Sequence, residues 1–260
     1  MKRYLHTLFR FWSASLAAEM EYRINFLVAT LVSLGNLVGN LFVLALFFSG
    51  SDLLGGWTLN EALMIAGLFT LLTGASESLL VPNLNRIVHY VQHGTLDYVL
   101  LKPMDSQFWL SARNVSPWGL PDMTFGVGLI VYSTVKLSLP VHASFVAVAA
   151  VALAATVMYA VWFILSATCV WFVKIHNVTH VLRSFMEAGR YPMTAYPIAY
   201  RFFLTCIVPV AFMTTVPAEL ILGKAGAPWF GGMLLMAAAL FIVSRLWWRF
   251  ALRYYTSASS

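Results

Sequence analysis

The feature that most constrains this chain is an apolar run from Ile24 to Phe48 that contains no charged residue. At 1.5 Å per residue, a helix of this length exceeds the hydrocarbon core of a bilayer, which is about 30 Å thick. Only 10% of the whole chain is charged, whereas soluble domains carry about 25% charged residues. A chain of 260 residues cannot bury that much apolar surface away from water. The sequence therefore predicts an integral membrane protein.

Six apolar segments predict an all-α, polytopic architecture. We predict a single transmembrane domain over residues 1–260, with spans at residues 24–48, 61–80, 117–137, 141–173, 198–216 and 229–247. The second span follows a capping-box pattern, with Thr58 as the N-cap and Glu61 three residues later. The last span ends in tryptophan, tyrosine and arginine residues, which are typical of the membrane–water interface.

Residues 1–23 precede the first span and are amphipathic. Their apolar positions recur at steps of three or four residues: Leu5, Leu8, Trp12, Leu16 and Met20. This spacing predicts an interfacial helix that lies in the headgroup plane. The alternative is a frayed basic tail.

The basic residues are distributed unevenly between the two sides that six spans define. All lysines and arginines except Lys136 and Lys224 fall on the side of the two termini. By the positive-inside rule we expect both termini in the cytoplasm. The same count places residues 82–116 and 174–200 in the cytoplasm. Each of these stretches contains an amphipathic helical stripe, which suits either contact with a partner chain or a plain juxtamembrane helix.

Motifs for catalysis are missing from the sequence. It contains no GxxxxGK[ST], HExxH or GxSxG pattern, so we predict that the chain is neither the ATPase of a transporter nor another enzyme. Histidine pairs occur at helical spacing, His89 with His93 and His176 with His180. We predict no metal site, because zinc usually needs three or four ligands. The net charge of +6 is spread thinly between apolar runs, so we exclude nucleic acid as a partner.

Polar residues inside the predicted spans are few. Glu77 lies near the end of the second span, and an intramembrane carboxylate normally faces protein or water. In the first span, Gly35 and Gly39 are four residues apart, which permits close helix packing, and Asn36 and Asn40 can add interhelical hydrogen bonds. That face suits a subunit interface and packing within the chain equally well.

Two stretches resemble type-2 ABC transporter permeases, in the subgroup of six-span membrane subunits without a fused ATPase. The first runs from Arg86 to Met104, and the second from Gly189 through the segment after Ile207. The matching positions are Gly94, Leu96, Asp97, Leu101, Lys102 and Pro103 in the first, and Pro192, Pro197, Pro209, Pro217 and Ala218 in the second. Together they cover nearly the whole chain in span order.

The resemblance implies an assembly in the bacterial cytoplasmic (inner) membrane. A second copy or a similar permease would complete a dimer, and separate ABC ATPase chains would hold ATP and magnesium, so this chain needs no cofactor. The family most often exports its substrate. The resemblance implies ATPase coupling through Arg86, His89, His93, Gly94, Asp97, Lys102 and Pro103, and a pathway lined by Glu77, Pro209 and Met213. The alternative class is a secondary carrier or channel driven by an ion gradient, with Glu77 as its relay.

Overall fold

A computed structural model describes residues 2–19, 23–172 and 178–255. Within them the regular secondary structure is helical, apart from one bridge between Leu54 and Trp57. Met20 and His176 lie outside the described residues. The helices in chain order are α1 (Lys2–Glu19), α2 (Arg23–Ser49), α3 (Leu59–Ala75), α4 (Val81–Gln92), α5 (Asp97–Leu100), α6 (Ser106–Ala112), α7 (Leu120–Lys136), α8 (Val141–Ala167), α9 (Val178–Glu187), α10 (Ile198–Phe202), α11 (Thr215–Ile221) and α12 (Ala227–Leu252).

Helices α3 and α4 form one long helix, Leu59–Gln92, that is widened by a π-helical turn at Ser76–Leu80. At its start the backbone N–H of Thr58 donates to Glu61 Oε2 at 2.9 Å, in agreement with the predicted capping pattern. Pro82 cannot donate to the carbonyl of Ser78 four residues earlier. The N–H of Ser116 donates to that carbonyl instead, at 2.9 Å. The π turn is therefore also the point where the following loop attaches to the helix.

Four glycines hold α3 against α7. A Cβ built on Gly119 would lie 2.1 Å from the carbonyl oxygen of Gly74, and one on Gly126 would lie 2.8 Å from that of Gly67. Gly67 faces Gly126 and Gly74 faces Gly119, so the two helices are antiparallel. Both pairs are seven residues apart, which returns them to one helix face. Backbones can approach this closely only where no side chain intervenes.

Helix α8 runs parallel to α12 and packs against it through aromatic rings. Tyr159 lies 6.1 Å from Phe241, and Phe163 lies 5.6 Å from Trp248, between ring centroids. At the end of this pair Arg245 forms an ion pair with Asp105, the N-cap of α6. Large aromatic side chains thus join α8 to α12, where glycines join α3 to α7, and the ion pair connects α12 to α6.

The segment from α9 to residue 195 runs antiparallel along α3. Three contacts mark its course: Arg183 with Glu77 at 2.5 Å, the Arg190 guanidinium over the Phe69 ring at 5.1 Å, and Thr194 Oγ1 donating to the Gly55 carbonyl at 2.7 Å. The sequence predicts a cytoplasmic stretch over residues 174–200, and the side of the membrane on which it lies stays a prediction. Residues 183–194 follow α3 from its π turn to beyond its N-terminus, so this segment lies beside a spanning helix.

Residues 198–221 form a bent pair of helical segments, Ile198–Ile207 and Val210–Ile221, at 71° to each other. Both ends of the pair lie near Trp57. Before the pair, Thr194 accepts from the Trp57 indole at 3.1 Å; after it, Lys224 Nζ lies 4.5 Å from the centre of the same ring. The predicted span over residues 198–216 is thus divided by a bend, and the segment is either one broken span or a re-entrant loop.

Length and composition alone support fewer crossings than the six that the sequence predicts. In the described residues, four helices are long and apolar enough to cross a membrane: Ile24–Ser49, Leu59–Gln92, Val141–Val170 and Ala227–Leu252. The bent pair would be a fifth only if it were one span. Helix α7 has 17 residues and α9 has 10, so neither meets that description by itself.

Candidate functional site

A polar cavity of about 140 Å³ lies between α2, α3, α7 and the residues after α9. Helix α2 contributes Asn36 and Asn40, α3 contributes Thr70 and Thr73, and α7 contributes Asp122. These side chains come from the interiors of long apolar helices, apart from Asp122 in the first turn of α7. Polar groups in such positions are costly in lipid and usually serve a function.

A charged wall closes the cavity on the α9 side. Glu187 and Arg190 line it and form an ion pair with each other. The Arg190 guanidinium also lies over the ring of Phe69, which fixes its plane against α3 by a cation–π contact. On the opposite side, Ser33 Oγ of α2 donates to the Asp122 carboxylate. The site thus combines hydrogen-bonding groups with both signs of charge.

Glu77 lies one helical turn from the cavity, in the π turn of α3. Its carboxylate pairs with Arg183 at 2.5 Å, and the two side chains are 31% and 45% exposed. The π turn rotates the helix by one extra residue, which brings Glu77 to the α9 side. Sequence reasoning singled out Glu77 but missed Arg183, Glu187 and Arg190, because it placed α9 outside the membrane. The amphipathic stripe in residues 178–187 was the signal that suited a helix facing a polar interior as well as one facing water.

The short helix α5 forms a second feature of interest. Leu96 and Val99 are buried in the main core, whereas Tyr98 is 70% exposed and Leu101 is 81% exposed. Gly94, which follows the end of α4, has a φ of 63°, a backbone conformation that favours glycine after a helix. The result is a rigidly anchored turn with an apolar outer surface.

A comparison with protein-family models finds a match to the ABC-2 family transporter proteins over residues 34–259. The chain belongs to the ABC-2 family. No curated protein and no solved structure matches it. As an ABC-2 permease it is the membrane component of a transporter that works with ATPase partners, and it is not itself the catalyst. The match includes the cavity and α5 but leaves α1 outside.

The predicted coupling residues of this ABC-2 permease separate into two places. Asp97 begins α5, and Lys102 follows it with Nζ 4.8 Å from the centre of the Trp109 ring. Pro103 is exposed beside them. His89 and His93 stack at 3.9 Å on the exposed end of α4. Arg86 lies one helical turn before His89 on α4 and lines a groove beneath α1.

The predicted pathway residues Pro209 and Met213 are buried in the bent segment 198–221 and do not line the polar cavity. Pro209 lies at the bend between its two halves. Gly35 and Gly39 have open space where a Cβ would stand, so they pack against no other part of the described chain. Their neighbours Asn36 and Asn40 instead line the cavity.

Metal ligands are not clustered in the described residues: no three His, Cys, Asp or Glu side chains there are placed to hold an ion. Cys169 is buried and Cys206 is exposed, and both are free thiols.

Proposed function

We propose that this ABC-2 permease crosses the membrane six times, with α9 and residues 188–195 as the fifth crossing. The others are α2, α3 with α4, α7, α8 and α12, and residues 198–221 re-enter from the side of Trp57. The antiparallel course of residues 183–194 along α3 supports this path. Arg183, Arg190 and Arg201 are then no longer counted among the cytoplasmic basic residues, and the remaining basic residues still favour cytoplasmic termini.

We propose that the chain is the permease subunit of an ABC exporter, which works as a dimer and is driven by a separate ATPase chain. The observation that carries the proposal is the surface of α5. Leu96 and Val99 anchor this helix in the core, while Tyr98 and Leu101 remain outside. An exposed apolar surface on an anchored element is suited to docking and to transmitting force, because it cannot move without the core.

The polar cavity would form part of the transport pathway. Its lining of amides, hydroxyls and an ion pair suits a polar group of the substrate. Glu77 is already paired with Arg183, so its geometry supports a position at the edge of the pathway more than a solitary ion relay. A secondary carrier is accordingly not favoured.

The test of the proposed function is recovery of the ATPase with the permease. Tyr98→Ala and Leu101→Ala together should reduce the ATPase that copurifies from native membranes by about tenfold or more, because few residues carry most of the energy of a docking surface. Asp97→Ala should uncouple ATP hydrolysis from transport. Tyr254→Ala is a matched control, since Tyr254 is also an exposed tyrosine, at 55%. Undiminished recovery of an ATPase with the Tyr98 and Leu101 variant would refute the assignment.

A further inference from the structure

A groove of about 320 Å³ lies between α1, the start of α4 and residues 113–115. Two arginines line it, Arg86 and Arg113, together with one carboxylate, Glu19. The remaining lining is mainly apolar and includes Phe11, Pro82 and Val115. Its volume lies within the range of about 300–1,000 Å³ that small-molecule sites occupy. Two cations against one anion make the groove a site for a negatively charged group with an apolar part.

Hydrogen bonds fix the inner wall of the groove. Asn83 Nδ2 of α4 donates to the carbonyl of Asn114 at 2.7 Å, and the N–H of Asn114 donates to Asn83 Oδ1 at 2.8 Å. Arg113 Nη1 donates to the Tyr90 hydroxyl at 3.2 Å, and its guanidinium lies 5.1 Å from the centre of the Trp109 ring. Arg113 is therefore held in place before any ligand arrives, which lowers the entropy lost on binding.

Helix α1 closes the groove from outside and is held at three points. Phe11 packs edge-on against Trp109 at 4.9 Å, and the Trp12 indole donates to the carbonyl of Ala112 at 2.9 Å. Farther along, Glu19 accepts from the Trp118 indole at 3.1 Å, which engages one oxygen of the carboxylate.

The outer face of α1 carries exposed apolar side chains. Phe9 is 75% exposed and Trp12 is 38% exposed. An amphipathic helix with exposed aromatic residues lies at the level of the lipid headgroups. With α1 in that position, the arginines of the groove would lie at the depth at which a lipid presents its phosphate.

We propose that this groove binds the phosphate group of an anionic phospholipid from the surrounding leaflet. Arg86 and Arg113 bind the phosphate oxygens, since guanidinium groups hold phosphate through paired hydrogen bonds. The apolar lining accommodates the glycerol and the start of the acyl chains. Basic pockets between membrane helices on the cytoplasmic side take lipid headgroups in this manner. The site depends on α1, which lies outside the family match, and it is independent of the transport direction.

The test uses the full chain purified in a zwitterionic detergent and titrated with short-chain phosphatidylglycerol. Native mass spectrometry counts the bound lipid, and thermal unfolding reports its stabilising effect. Arg86→Gln removes one charge, and Ser15→Phe fills the groove while leaving both arginines in place. Arg249→Gln is the control, since Arg249 is exposed in the last turn of α12.

We expect one phosphatidylglycerol per chain, with affinity about tenfold lower in Arg86→Gln and in Ser15→Phe, and unchanged in Arg249→Gln. Equal affinity of Arg86→Gln and Arg249→Gln would overturn the site. Equal binding of phosphatidylcholine would show that headgroup charge is not recognised and would overturn it as well. Displacement of the lipid by inorganic phosphate at the same concentration would mark a free-phosphate site and would overturn the lipid assignment.

Discussion

Helix α3 presents two contrasting faces to its neighbours. Against α7, glycine pairs bring the backbones together so closely that a Cβ on Gly119 would lie 2.1 Å from Gly74. Against α9, the same helix lines a polar cavity of about 140 Å³ and carries the pair of Glu77 with Arg183. The contact with α7 depends on the fit of two closely spaced backbones, whereas the contact with α9 depends on polar and charged side chains.

The difference indicates where this permease can move. A glycine-packed contact has no side chains to rearrange, so α3 and α7 are expected to move as one body. The α9 face contains long charged side chains around open space, and such contacts can exchange partners. Opening of a pathway is therefore expected on the α9 side.

The largest expected effect concerns the side of the membrane that residue 195 reaches. With Cys169→Ala and Cys206→Ala as background, single cysteines replace Asp52, Ala195 or His93, each exposed. A membrane-impermeant maleimide should label Asp52→Cys and Ala195→Cys from one side of sealed vesicles and His93→Cys from the other. If Ala195→Cys were labelled from the same side as His93→Cys, residues 174–200 would be cytoplasmic. The contact of α9 with α3 would then not lie inside the membrane.

The next effect should arise in the glycine contact. Gly119→Leu should lower the free energy of unfolding by about 3 kcal/mol or more, because the new side chain meets the backbone of Gly74. Thermal unfolding and the yield of monodisperse protein measure it. Gly128→Leu is the matched control, since Gly128 is also on α7 but has open space around it. Equal stability of the two variants would show that α3 and α7 are not closely packed.

A smaller effect should distinguish the two ion pairs at the ends of α3 by their influence on transport. Glu77 pairs with Arg183 beside the cavity, and Glu61 pairs with Lys224 at 2.7 Å near the start of the helix. A double-mutant cycle with Glu77→Gln and Arg183→Gln should give a coupling of about 1 kcal/mol in stability, and both variants should slow transport.

The matching cycle with Glu61→Gln and Lys224→Gln should change stability to a similar degree and leave transport intact. Equal transport by all four variants would mean that the cavity side of α3 has no special role.

The smallest effect concerns the contact of Asp105 with Arg245, which lies away from both faces of α3. It serves as a reference for the other stability measurements. The hydrogen bond from Arg245 lowers the pKa of Asp105 below its ordinary value of 3.8, a shift that burial partly opposes. A carboxylate with a lowered pKa in the folded state stabilises the fold above its unfolded pKa, and this is lost as the pH falls through the folded value.

Thermal stability should therefore lose this contribution only below about pH 4. Asp105→Asn should remove that part of the acid dependence. An unchanged acid profile in this variant would show that the pair does not contribute to stability.

Particular residues show how far the sequence alone was informative. The uncharged length of residues 24–48 and the cap at Thr58 depend on local chemistry, and the described helices begin and end close to those signals. The φ of 63° at Gly94 has the same local origin, since a positive φ favours glycine in any context. The motif around Asp97 was sufficient to indicate the family.

The polar face of α3 was not predictable in this way. Residues 178–187 have one apolar and one polar face, a pattern equally suited to a helix on the membrane surface and to one inside it. The tertiary contacts of Arg183, Arg190 and Thr194 place this segment along α3 and support the proposed position inside the membrane. Likewise, residues 198–216 are apolar enough for a span, and the contacts near Trp57 at both ends support the proposed re-entrant course.

The sequence by itself therefore determined that this is a membrane protein, that it is helical and to which family it belongs, because these depend on composition and on interactions between near neighbours. The tertiary structure alone decided which glycines touch, which helices line the cavity and which apolar segment is bent. Those features depend on residues far apart in the chain, and their partners cannot be identified from local pattern.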